Sequence, residues 1–229
     1  MNIWYKTVGI IKQRINNTRN EITWFRRKNK MSQARVLSEK ELNLLLLFIN
    51  TRKYSARDRA MVLMTHLAGM RVKEVAGTRI IDVLANDGTV KNEIVLKPSQ
   101  TKGKYARTIV LSSRLQKELR QYLLSRFTPK ELIAVPYCKD EYNKPLFKTQ
   151  KSNGFSANTL CYHFHMLYKA AGLEGASSHS GRRHFLTKLS GKGVALRTMM
   201  ELAGHRQAQT TMRYIDVTDD MKRAAVELI

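Results

Sequence analysis

Basic side chains and one tyrosine occupy short polar interruptions in a sequence that otherwise reads as helical. These positions are Arg71, Lys102, His179, Arg182, Arg183, His205 and Tyr214. Guanidinium groups match phosphate oxygens bidentately, lysine and histidine can transfer protons, and a tyrosine hydroxyl can act as a nucleophile. Each residue also has an ordinary explanation, such as a surface ion pair, a solvated hairpin lysine, a helix-capping histidine or an amphipathic tyrosine. The residue types therefore permit phosphate chemistry without establishing it.

The charge of the chain predicts a polyanionic partner. Its 229 residues contain 41 Lys and Arg against 18 Asp and Glu, a net charge of +23 at pH 7, and the pI is near 10.3. Each phosphate that such side chains neutralise releases a condensed counterion. We expect a nucleic acid, with an acidic lipid or a merely basic protein as the alternatives.

Membrane, secreted and metal-dependent classes find no support in the sequence. The longest apolar run, Leu44–Ile49, falls far short of the roughly 18 residues that span a bilayer. Lys6, Lys12 and Arg14 interrupt any signal-peptide core. The two cysteines give neither a metal-ligand spacing nor a disulfide framework. We expect a cytoplasmic protein with no metal, no cofactor and no membrane partner.

The first 35 residues differ from the rest of the chain. They carry nine Lys and Arg against one acid, Glu21, and their apolar residues from Trp4 to Phe25 recur at helical spacings. An amphipathic helix and a disordered basic arm are both predicted from this pattern. In either form we expect Arg26, Arg27 and Lys28 to contact DNA.

The remaining sequence predicts an α+β fold that is mostly helical. Helical patterns cover Ser38–Asn50, Ser55–Ala68, Arg71–Ala76, Ser112–Arg126, Ser156–Ala171, Gly181–Leu189, Leu196–Ala203 and Thr218–Leu228. The β-like runs Ile80–Leu84, Glu93–Leu96 and Arg107–Leu111 predict a small three-stranded antiparallel sheet. In this arrangement Lys102 lies at the tip of a hairpin, and the arginines and histidines lie at helix starts.

The order of these positions resembles that of the tyrosine recombinase, or phage integrase, family of the Xer and lambda-integrase type. The matching boxes are Ala68–Val75 for the first arginine, Thr101–Lys104 with Arg107–Leu111 for the lysine hairpin, His179–His184, Leu202–His205, and Thr210–Tyr214 for the nucleophile. The resemblance covers Val36–Val217. Short boxes are weak singly, but five in this order are specific.

The sequence departs from the family pattern at three places. Ala203 replaces the usual glycine of the Leu-Gly-His box, and Ser180-Gly181 replaces a commoner acidic-leucine pair. Relatives also carry a separate helical DNA-clamping domain, whereas the corresponding region here is short. We therefore expect a basic N-terminal segment at 1–35, which substitutes for the clamp, and a tyrosine recombinase catalytic domain at 36–229.

The resemblance implies that DNA is cleaved and rejoined through a 3′-phosphotyrosine at Tyr214, without ATP or metal. Arg71 and Arg182 are then expected to clamp the phosphate, and Lys102 to protonate the leaving 5′ oxygen. His179 is expected to accept or orient the tyrosine proton.

The remaining site residues have supporting roles on this interpretation. His205 is expected to donate a hydrogen bond to the phosphate, and Glu74 to orient its neighbours from behind. Further DNA contacts are expected at Lys104, Arg107 and Arg183.

The implied partners are double-stranded DNA with a specific recombination site, accessory DNA-bending proteins, and further copies of the chain in a tetramer. The segment Thr218–Ile229 is expected to exchange between protomers and dock through Val226 and Leu228, or else to pack on its own chain. A bacterial or phage-encoded, nucleoid-associated enzyme is expected. The alternatives are a type IB topoisomerase, an inactive DNA-binding regulator, and a nuclease in which Tyr214 is structural.

Overall fold

The computed structural model describes residues 34–101, 105–150, 152–215, 217 and 219–228. Its α-helices are α1 (Glu39–Asn50), α2 (Ser55–Leu67), α3 (Val72–Gly77), α4 (Ile80–Val83), α5 (Ser113–Leu124), α6 (Pro129–Ala134), α7 (Lys139–Tyr142), α8 (Ala157–Ala170), α9 (Ser180–Gly191), α10 (Leu196–Ala203), α11 (Ala208–Met212) and α12 (Asp219–Val226). The strands are β1 (Glu93–Leu96) and β2 (Arg107–Val110), and two 3₁₀ turns cover Pro98–Gln100 and Val135–Tyr137. None of the helices in these described ranges has the length and apolar character needed to cross a membrane. Residues 1–33 of the predicted N-terminal segment, which include Arg26, Arg27 and Lys28, lie outside the described residues.

Helix α2 is the central element of the fold. Its residues from Ala60 to His66 are all buried, and α1, α5 and α9 pack around it. Two predicted boundaries are confirmed. Ser38 and Glu41 form the capping box of α1, and Gly69 turns the chain after α2 with φ of 59°. Burial on all faces explains why α2 has no clear polar side.

The sheet has two strands in the described residues, and the prediction of a third strand at Ile80–Leu84 was wrong. β1 and β2 pair antiparallel, with Glu93 opposite Val110 and Leu96 opposite Arg107. Ile80–Val83 forms one helical turn instead, whose start is capped because the Arg79 backbone N–H donates to Asp82 Oδ2 at 2.8 Å. Ile80 and Val83 are both buried, a spacing of three that suits a helix better than a strand.

The sequence patterns did not predict two small helices, of which α6 packs against α5 and α7 packs against α4. Helix α6 begins with Thr128 as its N-cap, Pro129 in its first turn and Glu131 closing the capping box. This combination is typical of a helix start, so the start of α6 could have been predicted from the sequence. Helix α7 spans only four residues, too few for periodicity to reveal it.

The contact between α2 and α9 is unusually close at Gly181. A Cβ added to Gly181 would lie 2.1 Å from Thr65 Oγ1 and 2.7 Å from His66 Nδ1. The glycine that departs from the family pattern therefore has a packing role. It lets α9, which carries Arg182, lie directly against α2.

Two histidines lie together at this helix contact. The rings of His66 in α2 and His184 in α9 have centroids 5.3 Å apart. His66 is 1% exposed, and its Nδ1 lies 3.1 Å from the Val62 carbonyl oxygen. Burial, and secondarily the neighbouring His184, lowers the pKa of His66 to about 3. His66 is therefore neutral in the folded protein at neutral pH.

Acidification should destabilise the fold through His66. The pKa of His66 is lower in the folded protein than its unfolded value of about 6.5. The unfolding free energy is therefore highest above pH 6.5, and it decreases as the pH falls from 6.5 toward the folded pKa, because the unfolded state binds the proton more readily. Between pH 7.5 and pH 5 we expect wild type to lose about 2 kcal/mol more unfolding free energy than His66→Gln. Urea unfolding of both proteins at the two pH values measures this difference. Equal losses in the two proteins would show that His66 does not carry the effect.

Candidate active site

An open cleft of about 1120 Å³ lies between β2, the N-terminal end of α3 and the turn that joins α10 to α11. Arg71, Glu74, Arg107, His205 and Tyr214 are among the residues that line it. Four of the five sequence boxes thus reach one place in the fold: the first arginine box, the strand after the lysine hairpin, the Leu-Ala-Gly-His turn and the tyrosine segment.

Glu74 is the acid on which the arginines of the cleft converge. It is fully buried and accepts the backbone N–H of Arg71 at 2.7 Å and Arg71 Nη1 at 2.9 Å. Arg107 Nη1 donates to both of its carboxylate oxygens at 3.1 Å. The side chain of Arg71 keeps 24% of its surface exposed. Glu74 therefore orients Arg71 while leaving part of that guanidinium open to the cleft.

Arg182 lies behind this surface and is 1% exposed. Its guanidinium donates to the Gly69 carbonyl, to the Ala203 carbonyl at 2.6 Å and to His205 Nε2 at 2.7 Å. Burial lowers its pKa, and the charges of Arg71 and Arg107 lower it further. These contacts fix the guanidinium among the α2–α3 junction, the end of α10 and the histidine.

His205 has a defined tautomer in this network. Arg182 can only donate, so His205 Nε2 accepts, and the ring proton lies on Nδ1, which is 2.9 Å from Thr211 Oγ1. Burial, followed by the charges of Arg182, Arg71 and Arg107, lowers the pKa of His205 to about 3. In this structure His205 Nε2 is an acceptor for Arg182, and the donation of a hydrogen bond from His205 to a phosphate stays a prediction.

Tyr214 lies beside both of these groups. Its ring stacks on that of His205, with centroids 5.5 Å apart and an interplanar angle of 29°, and the Arg182 guanidinium carbon is 5.7 Å from its centroid. The residue follows α11 by two positions, and its ring packs on a small apolar cluster formed by Leu186, Met199 and Ala203. The arrangement holds a tyrosine at the edge of a buried cationic group.

The buried charges leave an excess of positive charge at the cleft. Arg71, Arg107 and Arg182 are three guanidiniums, and the carboxylate in contact with two of them is Glu74, so the group carries a net +2. The buried Nε atoms of Arg107 and Arg182 have no hydrogen-bond partner in the described part of the chain. Unpaired buried donors and uncompensated charge are costly. A bound anion would relieve both costs.

The lysine hairpin reaches the same cleft at its two ends. Lys102 and Lys104 lie outside the described residues, but Thr101 and Tyr105 both line the cleft. Thr101 Oγ1 donates to the Tyr105 carbonyl at 2.9 Å, and the Arg206 guanidinium lies 3.5 Å from the centre of the Tyr105 ring. Arg206 was not predicted from the sequence, because nothing local distinguishes it, and Thr211 was named only as a member of the tyrosine box.

Three other residues were predicted to contact DNA or to take part in catalysis: Arg107, Arg183 and His179. Arg107 and Arg183 are 9% and 6% exposed, and Arg183 Nη1 lies 3.4 Å from the Arg213 carbonyl. Little of either side chain is open to solvent in this structure, and a direct DNA contact by either arginine stays a prediction. His179 is exposed at the N-terminal end of α9 and is not among the described residues that line the cleft.

Comparison with known proteins identifies the family. The model of the phage integrase family matches residues 35–221. The chain belongs to this family. The match spans all five boxes, including the four that reach the cleft.

Relatives within the family include proteins of the Xer group. Tyrosine recombinase XerA of Thermococcus kodakarensis is 32% identical over 197 residues, which are 86% of this chain and 63% of the relative. Tyrosine recombinase XerC of Myxococcus xanthus is 28% identical over 163 residues, which are 71% of this chain and 51% of the relative. The chain thus spans about half to two thirds of the length of these phage integrase relatives.

Solved structures agree with the fold. The crystal structure of XerA recombinase superposes with a TM-score of 0.66 at 24% identity, and covers 86% of this chain and 66% of that one. The XerH site-specific recombinase, bound to a palindromic difH substrate in a post-cleavage complex, gives 0.62 at 25% identity, with 83% and 51% covered. The helical phage integrase fold with a small sheet is confirmed.

Proposed function

We propose that this protein is a site-specific DNA recombinase that cleaves and rejoins strands through a covalent 3′-phosphotyrosine on Tyr214. The observation that carries the proposal is the position of Tyr214, in contact with His205 and Arg182 at a cleft with an excess of buried positive charge. A phosphodiester is the anion that DNA offers such a cleft. Its substrate is double-stranded DNA with a specific recombination site.

The reaction is a transfer of a phosphoryl group from one oxygen to another. Tyr214 Oη attacks the phosphorus, the bond to the 5′ oxygen breaks, and the DNA 3′ phosphate becomes an ester of the tyrosine. A 5′ hydroxyl of the same or another strand reverses the step and regenerates Tyr214. The phosphodiester bond is conserved in the protein linkage, so the two steps balance without an external energy source.

Arg71 and Arg182 hold the phosphate during this transfer. Guanidinium groups fixed in advance stabilise the charge that develops on the non-bridging oxygens without reorganisation. The phosphate also offers Arg182 a charged acceptor in place of His205 Nε2. When the phosphate accepts the Arg182 Nη2–H that otherwise donates to His205 Nε2, with the guanidinium still in place, Nε2 can take up a proton and donate to the same oxygen. That is the role that the family resemblance implies.

Two protons must move. Lys102 is assigned the proton that the leaving 5′ oxygen requires, and His179 the proton that Tyr214 loses, both by resemblance to the family. The ends of the hairpin at Thr101 and Tyr105 support the assignment of Lys102, because both line the cleft. We also assign DNA backbone contacts to Lys104 and to the basic N-terminal segment, and the cytoplasm as the place of the reaction.

A covalent-adduct assay tests the proposed function. Duplexes that tile the DNA on either side of the gene are nicked near the scissile position, so that the short released fragment diffuses away and cleavage becomes irreversible. A protein–DNA band that survives detergent and disappears on proteolysis supports the proposal. Specific binding to one of these duplexes without such a band would favour a DNA-binding regulator instead.

The C-terminal helix suits assembly with further copies. Every described side chain of α12 is at least partly exposed. The apolar Val226, at the end of α12, and Leu228, two residues later, are 69% and 87% exposed. We infer that α12 docks on a neighbouring protomer in a tetramer that bridges two DNA sites. Exposed apolar side chains at a chain segment favour such an interface.

Removal of residues 219–229 should therefore prevent tetramer formation on DNA. We expect light scattering of the complex with a nicked duplex to show smaller assemblies than wild type, because the docking side chains are gone. Val226→Ser with Leu228→Ser should reproduce the effect with the helix intact, and Lys222→Ser serves as the control because it removes a polar side chain of α12. A tetramer that persists in both variants would contradict the exchange of α12.

A further inference from the structure

Arg107 connects two parts of the site that are far apart in the chain. It is the first residue of β2, and its side chain is 7% exposed. Its Nη1 donates to both oxygens of Glu74 at 3.1 Å, and its Nη2 donates to the Leu202 carbonyl at 2.8 Å. One planar group thus joins the carboxylate that holds Arg71 to the end of the helix that precedes His205.

The acceptor at Leu202 is one of the unpaired carbonyls at the end of α10. The last carbonyls of a helix have no intrahelical partner and attract cations. Arg107 takes the Leu202 carbonyl, and Arg182 takes the next carbonyl, that of Ala203. Two buried guanidiniums therefore cap the C-terminal end of α10. One belongs to Arg182, which is proposed to hold the phosphate, and the other to Arg107 of β2.

Gly204 makes room for this contact. It adopts a left-handed conformation with φ of 63°, and an added Cβ would lie 2.5 Å from Arg107 Cδ. The aliphatic part of Arg107 therefore runs against the backbone of the turn that leads to His205. A change in the path of Arg107 would move that turn, because the interior leaves no space for independent adjustment.

We propose that Arg107 is a positioning residue that sets the separation of Arg71 from the Arg182–His205 pair. The inference rests on the proposed function, since the separation matters only if these groups grip one phosphate. A lysine cannot replace the arginine in this role, because a single ammonium cannot span the fixed fork between Glu74 and the Leu202 carbonyl. Displacements of about 1 Å in such constellations cost roughly 100-fold in rate.

Single-turnover cleavage of the nicked duplex tests the role of Arg107. We expect Arg107→Lys to lower the cleavage rate by about 10- to 100-fold, while the dissociation constant for DNA and its salt dependence stay within about twofold of wild type. Arg57→Lys is the matched control, because Arg57 is also 9% exposed and joins a buried carboxylate, Asp58, to a backbone carbonyl, that of Lys148. All variants are assayed at a temperature at which urea unfolding shows each to be folded.

A double-mutant cycle separates positioning from a general loss of structure. If Arg107 acts by placing Arg71 relative to the other clamp groups, Arg107→Lys should cost at least tenfold less in an Arg71→Ala background than in wild type, by the rule for residues that act as a unit. Additive losses would overturn the inference. A salt slope reduced by about one unit would identify Arg107 as a direct phosphate contact instead.

The outcomes also keep the two proposals apart. Absence of any adduct with wild type would count against the proposed recombinase activity. Normal cleavage by both wild type and Arg107→Lys would leave that activity intact and reject only the positioning role.

Discussion

Replacement of Tyr214 by phenylalanine should abolish the covalent protein–DNA adduct and leave DNA binding almost unchanged. The substitution removes the hydroxyl oxygen that forms the ester, and it keeps the ring that stacks on His205 and packs on Leu186, Met199 and Ala203. Because the packing is preserved, we expect a stability change within the range of about 1 kcal/mol typical of mild substitutions. The measurements are a denaturing gel of the nicked-duplex reaction and a binding titration.

Tyr105→Phe provides the matched control for this experiment. Tyr105 lines the same cleft, is 56% exposed and stacks against Arg206, so it is an accessible tyrosine close to the same reagents. The control should form the adduct. Adduct formation by Tyr214→Phe would mean that another residue is the nucleophile, and loss in both variants would point to damage to the cleft as a whole.

Arg182→Lys should reduce the rate of cleavage by about 10²- to 10³-fold, the usual cost of losing one fixed donor to a developing oxyanion. The guanidinium of Arg182 serves the Gly69 and Ala203 carbonyls and His205 at once. An ammonium group retains the charge but cannot serve these acceptors and a phosphate together. Single-turnover rates on the nicked duplex measure the loss.

Arg126→Lys controls for the replacement of a partly buried arginine away from the cleft. Arg126 donates to the Leu146 carbonyl at 2.6 Å and lies 5.9 Å from the centre of the Tyr122 ring, so it shares a carbonyl acceptor and a neighbouring tyrosine with Arg182, and it also pairs with Glu141 at 3.4 Å. The control should cleave DNA at the wild-type rate. If Arg182→Lys were as active as this control, the phosphate clamp would need another member.

The helices were predictable because they combine a strong periodic pattern with local start and stop signals. Ser38 and Glu41 mark the start of α1, and Gly69 marks the turn after α2, within a few residues of the elements they define. The run Ile80–Leu84 was misassigned because five apolar-rich residues fit a strand and a helical turn equally well. The hydrogen bond from the Arg79 backbone N–H to Asp82 favours the helical turn over the strand.

The sequence motifs of the site were predictable, but the hydrogen bonds that connect their side chains were not. Nothing in the sequence around Arg107 distinguishes a buried arginine from one that faces DNA, and the net charge of +23 favours the second interpretation. Its acceptor at Leu202 is 95 residues away in the chain. The tautomer of His205 could not be predicted either, because it depends on the hydrogen bond that Arg182, a residue distant in the chain, donates to Nε2.

The contact at Gly181 bears on how this sequence can change. Stabilisation by consensus replaces each residue with the commonest choice of its family and assumes that positions act independently. At this helix contact that assumption fails, since a larger side chain at 181 would collide with Thr65 and His66 unless these changed as well. Residues 65, 66 and 181 must therefore change together. Homologues that carry leucine at the position of Gly181 must have other side chains facing it where α2 and α9 cross.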